Sequence, residues 1–268
     1  MAVKKKLFAG PFVGEFGWEL FCYQGILRNI APQYDEVHIV CTPGKEILYE
    51  DFATTIQTFQ PQGYEPDGAV NHQPMFGYPT PPQDGHAWSY IAPNTRLVQY
   101  NSGDSSWVPN VIQLHKVFGE KTDQQYDIIF HARGTNKAGT GVRNWSEEKW
   151  IELTSKLKET NPNIKLACIG TKNAAMWFEG TDDLRDLDLN NLCNTLHSSK
   201  LCIGPSSGPM HLASLCETPH LVWSPKLNYA RYTKDWNPHN TQVTFLEVED
   251  WNPTVEQVYD SIHSTYSR

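Results

Sequence analysis

The feature that most restricts this chain is the regular alternation of short apolar runs with helix-length stretches between residues 126 and 225. Asp127-Ile128-Ile129-Phe130-His131-Ala132 reads as a strand, 146–160 as a helix and 165–170 as the next strand. Helix 187–199, strand 200–204, helix 209–216 and strand 220–224 continue the series. Strands separated by helices of about ten residues build a parallel sheet covered on both faces, so this half is a Rossmann-like lobe.

The first half follows the same logic less regularly. Residues 5–11 form a strand stopped at Gly10-Pro11, and Val37 to Cys41 a second strand. Between them Leu20, Tyr23, Ile26, Leu27 and Ile30 recur at helical spacing over 19–30. Residues 45–59 read as another helix. From 61 to 110 the pattern dissolves, with 8 of the 18 prolines and 5 of the 18 glycines in that stretch, and so long a loop is more often functional than idle. Residues 111–118 read as helical and the polar 119–125 as a hinge. The division is then a lobe over 1–118, a second over 126–250, and an amphipathic closing helix at 251–266.

A formal net charge of -8 argues against wholesale coating of nucleic acid. No apolar run approaches the roughly 18 residues of a spanning helix, and the short run after Lys4-Lys5-Lys6 does not make a signal peptide, so a cytoplasmic protein without membrane insertion is expected. Six cysteines without a CxxC pair suit reduced, buried thiols rather than disulfides or zinc.

Three segments carry chemistry. In Ile203-Gly204-Pro205-Ser206-Ser207-Gly208-Pro209-Met210-His211 a strand ends in a turn of hydroxyls and glycine, with Pro209 well placed for the start of a helix. Amides at that helix start, with Ser206, Ser207 and His211, suit phosphate oxygens; a plain strand–turn–helix with capping serines reads the same way. Between Asp127 and Glu147 there is no acid, while Arg133, Lys137 and Arg143 are present, which makes an anion pocket or a solvated basic loop. In Pro225 to Trp236, Lys226, Arg231 and Lys234 interleave with Tyr229, Tyr232 and Trp236, as for stacking a base or holding a phosphate-bearing acceptor, or simply as packed aromatics under a loop. Asp186-Leu187-Asp188 is a literal DxD, but the acids around it fit a helix start better than a Mg²⁺ or Mn²⁺ site.

The 203–213 segment resembles the signature of heptosyltransferase-like glycosyltransferases, whose turn reads Asp-Ser/Thr-Gly before a His-Leu-Ala helix. Ser207, Gly208 and His211 match, and Ser206 stands where that family has Asp. Arg143-Asn144-Trp145 resembles the family's basic residue before a helix-opening Trp, and Gly14-Glu15-Phe16-Gly17-Trp18-Glu19-Leu20 resembles its amino-terminal turn. The resemblance implies a GT-B architecture of two Rossmann-like lobes facing a cleft, with the last helix crossing back to the first lobe. It implies Glu19, or else Glu15, as catalytic base, and Arg143 on the donor diphosphate with Arg133 or Lys137 assisting. Lys226, Tyr229 and Arg231 are expected to contact the base or the acceptor. The expected reaction is inverting, metal-independent transfer from a nucleotide diphosphate sugar, without a resident cofactor, to a hydroxyl of a glycan, a lipid-linked sugar or a hydroxymethylated base in DNA. Competing expectations are a nucleotide-sugar epimerase or hydrolase and a non-catalytic nucleotide-sugar-binding protein.

Overall fold

The computed structural model describes residues 2–61, 77–92, 98–101, 106–109, 113–123, 125–135 and 141–266. It divides into two compact units, Met1–His115 and Lys116–Arg268. The division falls just before the expected hinge because Phe118 and Gly119 already belong to the second unit. Phe118 is buried and donates its amide to Leu215 O, and a Cβ on Gly119 would lie 2.4 Å from Cys193 O.

In the first unit β1 (Lys5–Ala9) leads into a helical run made of α1 (Phe16–Trp18), a π-helical turn at Glu19–Tyr23, and α2 (Gln24–Ile30). Then come β2 (Glu36–Cys41), β3 (Thr55–Thr58) and β4 (Ala87–Ile91), and the four strands form a parallel sheet in the order β3-β2-β1-β4. Leu7 and Ala9 of β1, Val37 and Ile39 of β2, and Leu20, Ile26 and Leu27 of the helical run are buried, which is the apolar periodicity read from the sequence. β5 (Val98–Asn101) and β6 (Ser106–Pro109) pair antiparallel.

Two helices expected here are absent. Residues 45–59 make only a single 3₁₀ turn, Glu46–Leu48, before entering β3. The β-branched Thr54, Thr55, Ile56 and Thr58 account for this: they favour strand, and Thr54 both donates to Val37 O (2.7 Å) and accepts from Val37 N (2.9 Å). Residues 113–118 are not helical either, and 111–112 lie outside the described residues.

The first strand ends at a position only glycine can fill. Gly10 has φ +99°, and a Cβ there would sit 2.0 Å from Val40 O, inside the backbone of the next strand. Gly10→Ala is expected to lower stability by roughly 2–4 kcal/mol through left-handed strain and overpacking, read as a fall in the denaturation midpoint.

The second unit contains β7 (Ile128–Phe130), α3 (Glu147–Thr160), β8 (Leu166–Cys168), β9 (Asp182–Asp183), α4 (Leu189–His197), β10 (Cys202–Pro205), α5 (Gly208–Leu215), β11 (His220–Ser224), β12 (Val243–Glu247) and α6 (Val255–Tyr266). Its parallel sheet runs β12-β11-β10-β7-β8-β9. Counted from the unit's first strand, that is the order 3-2-1-4-5-6 of the doubly wound fold, with its switch point between β7 and β10. Helix starts are encoded locally: Ser146 caps α3 by accepting from Lys149 N, and Asp188 caps α4 by accepting from Asn191 N. The DxD segment is thereby accounted for, since Asp186 accepts from Lys172 N at 2.9 Å.

The core of this unit is aromatic. Trp145 and Trp150 meet edge to face at 4.8 Å, and both pack on Trp223 of β11. Val255, Val258 and Ile262 of α6 belong to the same core, and Lys149 and Trp145 both donate to Pro253 O just ahead of that helix. The apolar stripe of the closing helix is used on α3 and β12.

Candidate active site

In an open parallel sheet, ligands sit outside the carboxyl ends of the strands at the switch point. In the second unit that point lies between the segment after β7, which begins at His131, and the turn after β10, which is Ser206-Ser207-Gly208. The two segments are joined there: Ser207 Oγ and His131 Nδ1 are 2.8 Å apart. Around this contact the structure gathers most of the residues singled out from sequence.

Tyr232 organises the turn from beneath. Its hydroxyl donates to Ser206 Oγ (3.0 Å) and accepts from Ser207 N (3.1 Å), so Ser206, standing at the family's Asp position, is buried and spent on the tyrosine. Its ring stacks on His211 of α5, with centroids 4.2 Å apart and planes 14° from parallel, and Trp236 meets His211 by its edge at 4.7 Å.

Two guanidiniums act on this pair. Arg143, on the 3₁₀ turn Gly141–Arg143, lies 4.8 Å over the ring of Trp251, and Arg231 lies 4.7 Å over Trp236. Trp251 adopts φ +61°, a left-handed conformation costly for a bulky side chain, which the surroundings must enforce. Burial chiefly, then Arg231, the neighbouring His220 and Arg143, hold His211 well below the usual imidazole range. Burial pushes the Tyr232 hydroxyl up, against its bonds to Ser206 and Ser207 and the same two arginines. Arg143 and Arg231, which lie 88 positions apart, therefore share one electrostatic neighbourhood with the start of α5.

The other expected residues are distributed more loosely. Arg133 Nη1 donates to Asn144 Oδ1 at 2.8 Å, and Asn144 Nδ2 donates to Thr135 O at 2.8 Å, a brace that fixes the residue beside Arg143. Lys137 lies outside the described residues. Lys226 and Tyr229 are exposed, Tyr229 resting by its edge on Phe245 at 5.4 Å.

In the first unit the two candidate acids have opposite fates. Glu19, in the π-helical turn, is fully buried; Tyr49 donates its hydroxyl to Oε1 at 2.8 Å and Lys45 pairs with Oε2. Glu19 is thus held inside the first unit by a partner 26 residues away, in the segment that folds into a 3₁₀ turn and β3 rather than a helix. Glu15 is exposed, at the residue before α1 in the turn that follows β1.

Buried neutral histidines give the second unit a pH signature. Burial and the nearby Arg133 bring His131 down to about 3, and burial brings His220 down to about 4. An unfolded chain takes up these protons near pH 6.5 while the fold does not, so stability is complete above about 6.5 and falls as pH drops toward the folded values. Between about pH 7.5 and 5 the expected loss is up to roughly 2 kcal/mol per imidazole, and urea midpoints at the two pH values measure it. An unchanged midpoint would contradict this assignment.

All six cysteines are buried thiols. Among the described residues no group of three or more His, Cys, Asp or Glu is arranged to hold a metal ion, and no helix is long and apolar enough to cross a membrane.

The doubly wound unit carries a basic, helix-start site at its switch point, and a second small parallel sheet precedes it. Known structures share this plan. A glycosyl transferase family 9 protein from Veillonella parvula superposes with a TM-score of 0.60 at 12% identity, covering 98% of this chain and 97% of that one. The E. coli ADP-heptose LPS heptosyltransferase II gives 0.58 at 11% identity, covering 98% of each chain. The fold is therefore GT-B. No curated protein matches the sequence significantly. The family model of glycosyltransferase family 9 (heptosyltransferase) matches residues 97–244, and the chain belongs to that family. It is a glycosyltransferase.

Proposed function

We propose that this enzyme moves a sugar from a nucleoside diphosphate sugar to an acceptor hydroxyl in one inverting displacement, without a metal. The observation that carries the proposal is the start of α5 at the switch point, where Arg231 lies over Trp236, the ring that meets His211 by its edge, and where the charges of Arg231 and Arg143 both reach His211 and Tyr232. As the bond from the anomeric carbon to the diphosphate oxygen breaks, its electron pair stays on the diphosphate. Two guanidiniums and the helix-start amide of Gly208 are suited to that growing charge.

Glu15 is the group we assign as base. It is the exposed acid at the carboxyl end of β1, and it takes the proton from the acceptor hydroxyl as the oxygen attacks. Glu19 supports the turn from inside. The E. coli relative is an ADP-heptose LPS heptosyltransferase, which makes ADP-heptose the first donor to try and a glycan the first acceptor. Nothing in the site or the comparisons favours modified DNA.

The test is release of nucleoside diphosphate from ADP-heptose and a panel of other nucleotide sugars, with and without glycan acceptors, in excess EDTA. Acceptor-dependent release with an inverted anomeric linkage supports the reading. Release that requires added metal, or that proceeds equally without acceptor, contradicts it.

A further inference from the structure

His131 has no role in the chemistry so far, yet the fold builds a place for it. It is buried at the switch point, and two glycines make the room: a Cβ on Gly204 would lie 2.9 Å from His131 O and 3.2 Å from its Cβ, and one on Gly170 would lie 3.3 Å from Cδ2. Gly170 also carries φ +122°, so both neighbours resist substitution. The ring reaches one hydroxyl, that of Ser207.

Ser207 occupies the residue before α5, where a serine ordinarily turns its oxygen back to an amide of the first helical turn. Here it makes no such bond. Its extended backbone, φ -166°, and the contact with His131 point the side chain across to β7 instead. The start of α5 is thereby left uncapped by its own serine, at the place where two arginines bring positive charge.

We propose that His131 is a positioning residue for the donor site. Its neutral ring donates from Nδ1 to Ser207 Oγ. The hydroxyl proton is then directed to a diphosphate oxygen, and the first-turn amides of α5 are kept for the same ligand. The inference rests on the reading of this turn as the diphosphate site, and the experiment separates the two.

The experiment is a double-mutant cycle on ADP affinity by calorimetry, using His131→Leu, which keeps bulk and removes the donor, and Ser207→Ala. Each single change is expected to weaken ADP binding about tenfold, and the double variant no further than either alone. His131→Asn, which restores an N–H, is expected to return affinity to within about threefold of the parent. Arg143→Ala combined with His131→Leu should multiply the two losses, as independent groups do.

Weakening by Ser207→Ala but not by His131→Leu overturns the positioning role and leaves the diphosphate reading intact. Losses from His131→Leu and Ser207→Ala that simply multiply overturn it as well. Unchanged affinity in Ser207→Ala removes the diphosphate reading at this turn and the proposal with it. Should His131→Leu not fold, ¹⁵N spectra of the unaltered protein decide: a His131 ring protonated on Nδ1 supports the proposal, and one protonated on Nε2 overturns it.

Discussion

Glu15→Gln is expected to lower the turnover rate of sugar transfer by about 10²–10⁴-fold while leaving donor affinity and stability close to the parent's. Glu15 is exposed, and its side chain caps nothing, so the change removes only the capacity to take a proton. Exposed substitutions of this kind usually alter stability by no more than about 0.5 kcal/mol. Rate, ADP affinity and denaturation midpoint measured on the same preparation separate the loss of a base from a damaged fold. A variant that turns over at the parent's rate removes Glu15 from the mechanism.

Lys45→Met is expected to destabilise the first unit by about 3–5 kcal/mol, because it leaves the buried Glu19 carboxylate facing a methyl thioether instead of an ammonium. Tyr49 still donates to Oε1, but a single neutral donor does not replace a charge. Adding Glu19→Gln to Lys45→Met should recover much of the loss, since the stranded charge is then gone. Denaturant titration of the single and double variants measures both numbers. The same pair separates the two acids. Folded Glu19→Gln protein is expected to keep its turnover rate, and a 100-fold fall in rate without a fall in stability would return Glu19 to the role of base.

The second unit was legible in sequence because its elements are defined by near neighbours. Helix α3 starts at Ser146 because its hydroxyl reaches Lys149 N three residues on, and strand β11 (His220–Ser224) carries a continuous apolar run, Leu221-Val222-Trp223, that needs no partner to be recognised. The basic loop with Arg143 and the hydroxyl turn before His211 stood out for the same reason.

What escaped depends on distant partners. The strand β12 (Val243–Glu247) is only half-buried at the sheet edge and carries little apolar pattern. The stretch 45–59 has helix-compatible spacing, yet pairing of Thr54 with Val37 and of β3 with β2 decides its conformation. Glu19 was read as a base from the resemblance of the amino-terminal turn to the family's; its burial is set by Lys45 and Tyr49. Arg231, expected to contact the base or the acceptor, shares the surroundings of Arg143, a meeting that only the turn of the chain after β11 brings about. His131 gave no signal at all, since one histidine at a strand end is common and its value lies in the serine 76 positions later.

The central claim is that Arg143, Arg231 and the start of α5 form a diphosphate site, and a calorimetric comparison of ADP, AMP and adenosine tests it most directly. The expected order is ADP tighter than AMP and AMP tighter than adenosine, with ADP weakened about 10–100-fold by Arg143→Ala and by Arg231→Ala while adenosine binding is unchanged. Equal affinity for ADP and AMP, or ADP binding indifferent to both arginines, would contradict it.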